Sequence, residues 1–167
     1  MKVYEITNVK DFMNKLLCSD LFDHLLLSEA VIQGKVTYTI DGHLTKDFYT
    51  EEERIAEGLD SLSCIPFSML RTNCYDLIKG KKTPVSFRFI FMLSPDNLRR
   101  TLQSTNSGFT ENDLNGVFIN IRFSDCTLTC TTGVSYRTFS LDHSFEENWD
   151  SLVGKFLSSH DISYDIP

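Results

Sequence analysis

The sequence predicts an α+β fold, a largely antiparallel sheet with helices packed against it. Three observations predict it. Residues 85–92 and 117–123 alternate aromatic and β-branched side chains with other residues, the period of a half-buried strand. Val9, Phe12, Met13, Leu16 and Leu17, and later Trp149, Leu152, Val153, Phe156 and Leu157, recur at i, i+3, i+4, i+7 and i+8, which is one buried helix face. The links between the strands expected over residues 117–141 are too short for parallel crossovers, which makes that stretch an antiparallel meander. At 167 residues, 41% hydrophobic and 23% charged, the chain has the size and composition of one globular domain, residues 1–167.

Residues 2–6 read as a short strand. Asn8 stands where a helix cap belongs, and Asp11 falls in the first turn, where a carboxylate suits the helix dipole. Residues 25–32 read as a strand, Gln33-Gly34 as a turn and residues 35–40 as the returning strand. Asp41-Gly42 is a tight-turn signal, because such turns need positive φ. Residues 44–49 are the next expected strand. Thr50 and Glu53 have the spacing of a capping box for a short helix ending by Gly58. Residues 60–63 are expected as loop. Residues 66–79 are expected as a longer helix, with Phe67, Leu70, Cys74, Leu77 and Ile78 on its apolar face and Gly80 ending it.

In the central strand, Phe87, Phe89 and Phe91 share one face, and Arg88 and Ile90 the other. Ser94 suits an N-cap, and Pro95 suits the first helical position because the N–H it lacks would be unpaired there. Leu98 and Leu102 then form a seam, with Arg99 and Arg100 turned away from it. Residues 104–116 are polar and read as loop. Residues 117–123 and 127–132 read as strands joined at Ser124-Asp125, and Gly133 opens a turn into a third strand over residues 134–141. Ser144 and Glu147 have the spacing of a capping box for the Trp149 helix. Residues 158–167 read as a tail anchored by Ile162 and Tyr164. The order strand, helix, strands occurs twice, with Gly42 set against Gly133 and Phe48 against Phe139. An internal strand–helix–strands duplication is one reading of this, and chance similarity is the other.

No apolar run approaches membrane-spanning length, so no membrane contact is expected. The opening Met1-Lys2-Val3-Tyr4-Glu5 lacks the apolar stretch of a secretion signal. Five cysteines without framework spacing read as reduced, buried thiols of a cytoplasmic protein. The net charge of −7 opposes unspecific binding to nucleic acid. The charge is uneven, however. From Arg71 to Arg100 seven basic residues face two acids, Asp76 and Asp96. The bland reading is a solvated surface. The functional reading is a basic patch of Lys79, Lys81, Lys82, Arg99 and Arg100 that meets an acidic protein surface or nucleic acid. The lysines precede the central strand and the arginines follow it, roughly 25–30 Å apart at ~3.3 Å per residue. That separation suits a broad surface and not a phosphate pocket.

Cys126 and Cys130, read on one strand, lie roughly 13 Å apart, too far to share a zinc ion. They read as half-buried strand thiols. His24, His43, His143 and His160 show no metal spacing. Asp41 and His43 sit at one turn, as an acid–base pair or as an exposed turn. Gly80-Lys81-Lys82-Thr83 lacks the upstream glycine of a phosphate loop, and no serine occupies a nucleophile elbow. No catalytic constellation, metal or cofactor is expected.

Two resemblances follow. The opening strand, the Val9–Leu17 helix, the hairpins and the helix over residues 66–79 are similar in topology to the start of a DNA sliding-clamp domain. Clamps place basic helices along DNA, and here Lys10, Lys15, Arg99 and Arg100 are the helical cations. Asn120-Ile-Arg-Phe-Ser-Asp-Cys-Thr-Leu-Thr-Cys-Thr-Thr-Gly133, with the Trp149 helix and Asp11-Phe-Met-Asn-Lys-Leu-Leu17, resembles an uncharacterised bacterial family of unknown function over nearly the whole chain. That resemblance implies no activity. The leading expectation is a non-enzymatic cytoplasmic binding or adaptor module. The alternatives are a small enzyme with its site near Asp41 and His43, and a clamp-like nucleic-acid accessory protein.

Overall fold

In the computed structural model, which describes residues 1–167, β1 (Val3–Ile6) leads to α1 (Val9–Leu17). Asn8 caps α1 by accepting from the Asp11 amide, and Phe12, Leu16 and Leu17 are buried. β2 (Leu25–Gln33) and β3 (Thr37–Asp41) form a hairpin. α2 (Glu51–Ala56) starts at a complete Thr50/Glu53 capping box. β4 (Ile65–Pro66), a 3-10 turn over Phe67–Met69 and α3 (Arg71–Ile78) follow. The central strand is β5 (Ser86–Leu93), and α4 (Pro95–Ser104) begins with Ser94 as cap and Pro95 in its first turn. After a 3-10 turn over Glu111–Asp113 come β6 (Leu114–Ser124), β7 (Thr127–Tyr136), α5 (Ser144–Ser159) and β8 (Tyr164–Asp165).

The strands form one sheet in the order β3-β2-β5-β6-β7-β1-β8, with β4 also against β2. Every pairing is antiparallel. Phe87, Phe89 and Phe91 of β5 point into a cluster of 29 buried residues that also takes in Phe12 of α1, Cys74 of α3, Leu102 of α4 and Trp149 of α5. The alternate residues Arg88 and Arg122 are exposed, so the sheet buries the face that carries the helices. α5 is tied to the sheet by three polar contacts. The Trp149 indole N–H donates to the Phe118 carbonyl at 3.1 Å, the Tyr4 hydroxyl donates to the Asp150 carbonyl, and Thr132 donates to the Asp150 carboxylate.

Several local expectations are corrected. Gly42 has no positive φ, and residues 44–49 are not a strand. A Cβ on Gly42 would lie 1.7 Å from the Leu27 carbonyl oxygen. The glycine is needed for close backbone approach and not for turn handedness. The helix over residues 66–79 is shorter, because Ile65–Pro66 pair with β2 and Phe67–Met69 form a 3-10 turn. Its Gly80 does end it, at φ 146°. β6 begins inside the expected loop, three residues early, with a bulge between Leu114 and Gly116. β7 runs straight through Gly133, which faces Phe118 across the ladder, so its missing side chain leaves room beside that residue. There is no third strand over residues 134–141; β1 pairs with β7 instead. Ser144 does not cap α5, and Asp142 accepts from the Ser144 amide. The order β-α-β-β-α occurs twice, as β1 to α2 and as β5 to α5 without β4 and α3. The pairing does not repeat, since β5 lies beside β6 but β1 does not lie beside β2.

Candidate functional site

The seven cations between Arg71 and Arg100 do not form one free patch. Arg71 makes a two-pronged contact with Asp23 at 2.9 and 3.2 Å, and Arg88 reaches Glu29 at 2.5 Å. Lys79 lies 2.9 Å from Asp76. Arg99 is held between Asp96 at 3.0 Å and Glu111 at 2.6 Å. Lys81, Lys82 and Arg100 have no carboxylate within 4.0 Å. The lysines stand before β5 and the arginines after it, so the two groups are separated by the strand's length, roughly 25 Å.

The lysine group gains a member. Val85 donates its amide to the Gln33 carbonyl, and Ser86 bonds the Gln33 side chain, which draws the turn before β5 against the β2–β3 hairpin. The groove between that hairpin and the end of α3 has a volume of about 570 Å³ and is lined by Lys35, Tyr38, Asp76, Lys79 and Lys82, among others. Three ammonium groups and one carboxylate thus share a groove with an aromatic ring. Lys81 is exposed in the adjoining turn. Charge counted along the chain reaches Lys79 and Lys82 but misses Lys35, which belongs to a different segment.

The arginine group divides as well. Arg100 lies on the rim of a separate cleft between α4 and α5, about 250 Å³ in volume, whose walls include Trp149, Leu152, Phe156 and Ile119. Periodicity identifies the Trp149 stripe, but nothing local says that α4 leaves part of it uncovered.

Asp41 and His43 do meet, with Oδ1 2.6 Å from the ring Nδ1 and 3.0 Å from the His43 amide. Both side chains are exposed, at 77% and 62%. The bonds from His43 hold the Asp41 carboxyl below its usual range, so it stays ionised and is a poor proton acceptor near neutrality. Cys64 bridges His43 backbone to backbone, but burial pushes its thiol up, the opposite of an activated nucleophile.

The cysteines correct the reading of five buried thiols. All are free, yet Cys18 and Cys126 are exposed. Cys126 lies in the β6–β7 turn and not on a strand, whereas burial raises the Cys130 thiol to about 12 and the Cys74 thiol to about 11. No three His, Cys, Asp or Glu side chains converge as a metal set. No helix is long and apolar enough to cross a membrane.

No curated protein and no solved structure matches this chain. The model of a family of unknown function (DUF5721) matches residues 15–165, and the chain belongs to that family.

Proposed function

We propose that the chain is a non-enzymatic binding module that takes an acidic segment of a partner protein on the groove between α3 and the β2–β3 hairpin. The observation that carries this reading is the convergence of Lys35, Lys79 and Lys82 beside Tyr38, with Asp76 as the one opposing charge. Lys82 and Lys35 form no ion pair within the chain, so their charge is available to a partner. Lys81 extends the same surface, whereas Arg99 is already paired with Asp96 and Glu111 and Arg100 lies beyond the other end of β5, outside the groove. A short acidic protein segment fits better than nucleic acid, because a net charge of −7 opposes a long polyanion more than a segment with only a few carboxylates. We place this module in the cytoplasm, on the support of five unbridged cysteines.

Fluorescence anisotropy of a labelled oligoglutamate peptide tests the reading. Saturable binding is expected at low salt, weakening as salt rises. Lys35→Glu/Lys82→Glu should reduce affinity about tenfold or more, since reversed charges repel the peptide. No binding at low salt would sink the reading. Binding of a single-stranded oligonucleotide in place of the peptide would move the function to a clamp-like nucleic-acid accessory role.

A further inference from the structure

α4 and α5 lie on the same face of the sheet without closing on each other. The cause is in their sequences. Leu98 and Leu102 of α4 turn toward the core, and Asn97, Arg100 and Thr101, at i, i+3 and i+4, form the stripe that faces α5. The opposing stripe of α5 is Trp149, Leu152, Val153 and Phe156, which is apolar. The two stripes do not close completely: Trp149 and Val153 are nearly buried while Leu152 and Phe156 stay half-exposed, and a cleft remains above Leu25, Leu93 and Ile119 of the sheet.

The polar groups of the cleft are not equally free. Asn97 donates its amide to the His24 carbonyl at 3.2 Å, and Thr101 donates its hydroxyl to the Asn97 carbonyl at 2.8 Å. His24 packs edge-on against Phe156, and burial holds its imidazole below the ordinary range, so it adds no cation near neutrality. No Asp or Glu lines the cleft. Arg99 next door is fully engaged by Asp96 and Glu111, while Arg100 has no acidic partner. The cleft therefore presents one unspent guanidinium at the edge of an apolar chamber.

We propose that the α4–α5 cleft binds a small amphipathic monoanion, a monocarboxylate with an aliphatic body, whose carboxylate pairs with Arg100 and whose body lies along Trp149 and Phe156. One free cation calls for one negative charge, and a guanidinium matches a carboxylate with two parallel bonds. An apolar lining calls for an apolar body. A cleft of about 250 Å³ limits the ligand to a small molecule, and a medium-length aliphatic chain is a suitable body to probe it. Nucleotides and polyphosphates exceed the cleft in both charge and size. The site is independent of the lysine groove, which lies at the other end of β5.

The chain contains a single tryptophan, and it lies in the cleft, so its emission reports on this site. Octanoate below its micellar concentration should bind the full chain with one-to-one stoichiometry by calorimetry and change Trp149 emission with the same midpoint. Octanamide, which keeps the body and lacks the charge, should bind about tenfold more weakly. Arg100→Gln should weaken octanoate by a similar factor and leave octanamide unchanged. Arg100 is exposed, so this variant is expected to keep the wild-type circular dichroism spectrum. Lys35→Glu/Lys82→Glu should bind octanoate normally, which separates this site from the groove. Four results would each overturn the proposal. These are no heat and no emission change, heat without a change at Trp149, equal binding of octanoate and octanamide, or indifference to Arg100→Gln. A concentration-dependent dimer abolished by Leu152→Glu would assign the cleft to a second copy of the chain and overturn it as well.

Discussion

Asp125 and Cys126 have φ of 51° and 61°, so the two-residue turn between β6 and β7 holds two side-chain-bearing residues in the left-handed region. Ser124 pairs with Thr127 across it, and such turns favour Asn or Asp followed by Gly. Asp125 fits that rule and Cys126 does not. Cys126→Gly is expected to stabilise the protein by about 0.5–1 kcal/mol, read as a higher urea midpoint at unchanged slope. The turn itself was legible in Ser124-Asp125. The conformation of Cys126 was not, because an x₃ spacing to Cys130 looks like a strand until the register is known. His24 gives a second expectation at this scale. Its surroundings lower its pKa, mainly through burial and also through His160 beyond Phe156, while the Leu21 backbone and, less strongly, Asp23, itself held by Arg71, oppose the shift. The folded state thus prefers neutral imidazole. The stability this brings is present above the ordinary pKa of about 6.5 and lost as pH falls below it. Between pH 7.5 and 5.5 the thermal midpoint of the wild type should fall further than that of His24→Gln. Solvent at the exposed edge of the ring keeps the effect small. Parallel curves for the two proteins would show that His24 is not coupled to folding.

Elements whose partners are all on one side were readable in advance. α1 and α5 each bury a single stripe, so their spacing alone shows both type and orientation. Phe145, one turn before Trp149 and fully buried, extends the α5 stripe beyond the expected one. Trp149→Ala removes the largest side chain of that stripe along with its bond to Phe118. The expected cost is about 3–5 kcal/mol by chemical denaturation, and a loss under about 1 kcal/mol would mean that α5 is loosely docked. α3 was less readable because β2 captures Ile65–Pro66 and shortens the helix, a long-range pairing that no local pattern encodes. Gly42 teaches the same lesson. Its amide donates to the Ser28 carbonyl and its carbonyl accepts from the Ile65 amide, which stitches β2 to β4. Gly42→Ala would drive a methyl group into the Leu27 carbonyl. A loss of more than about 3 kcal/mol is expected, with the far-UV spectrum kept only at low temperature. A nearly neutral Gly42→Ala would show that the backbone there relaxes easily.

The whole molecule has one continuous buried cluster, to which every helix except α2 contributes a buried side chain. We propose on this ground that residues 1–167 unfold as one unit. Trp149 emission and far-UV circular dichroism should then trace the same urea transition, and two separated midpoints would divide the chain into independent parts. At this scale the α+β class and the antiparallel sheet were legible from alternation and short links. The neighbours in the sheet were not, since β1 and β7 or β2 and β5 choose each other over long loops. The same limit applied to the candidate surfaces. The basic residues of one segment could be counted, but Lys35 joins the groove and Asp96 and Glu111 neutralise Arg99 only after the chain has folded.

β1 lies between β7 and β8, with Val3 opposite Thr131 and Glu5 opposite Asp165. Lys2 and Thr132, which bond each other, are 130 positions apart. In vectorial synthesis at about 5–20 residues per second, β1 leaves the ribosome roughly 6–25 s before the strand that will cover it. During that interval Val3, Tyr4 and Ile6 have no sheet to join, while β2, β5 and β6 can already pair with one another. Glu5 sits within this waiting strand and Lys2 just before it, and such charges discourage pairing with another nascent chain. At this rim a strand made early within residues 1–167 therefore waits for a partner made more than a hundred residues later.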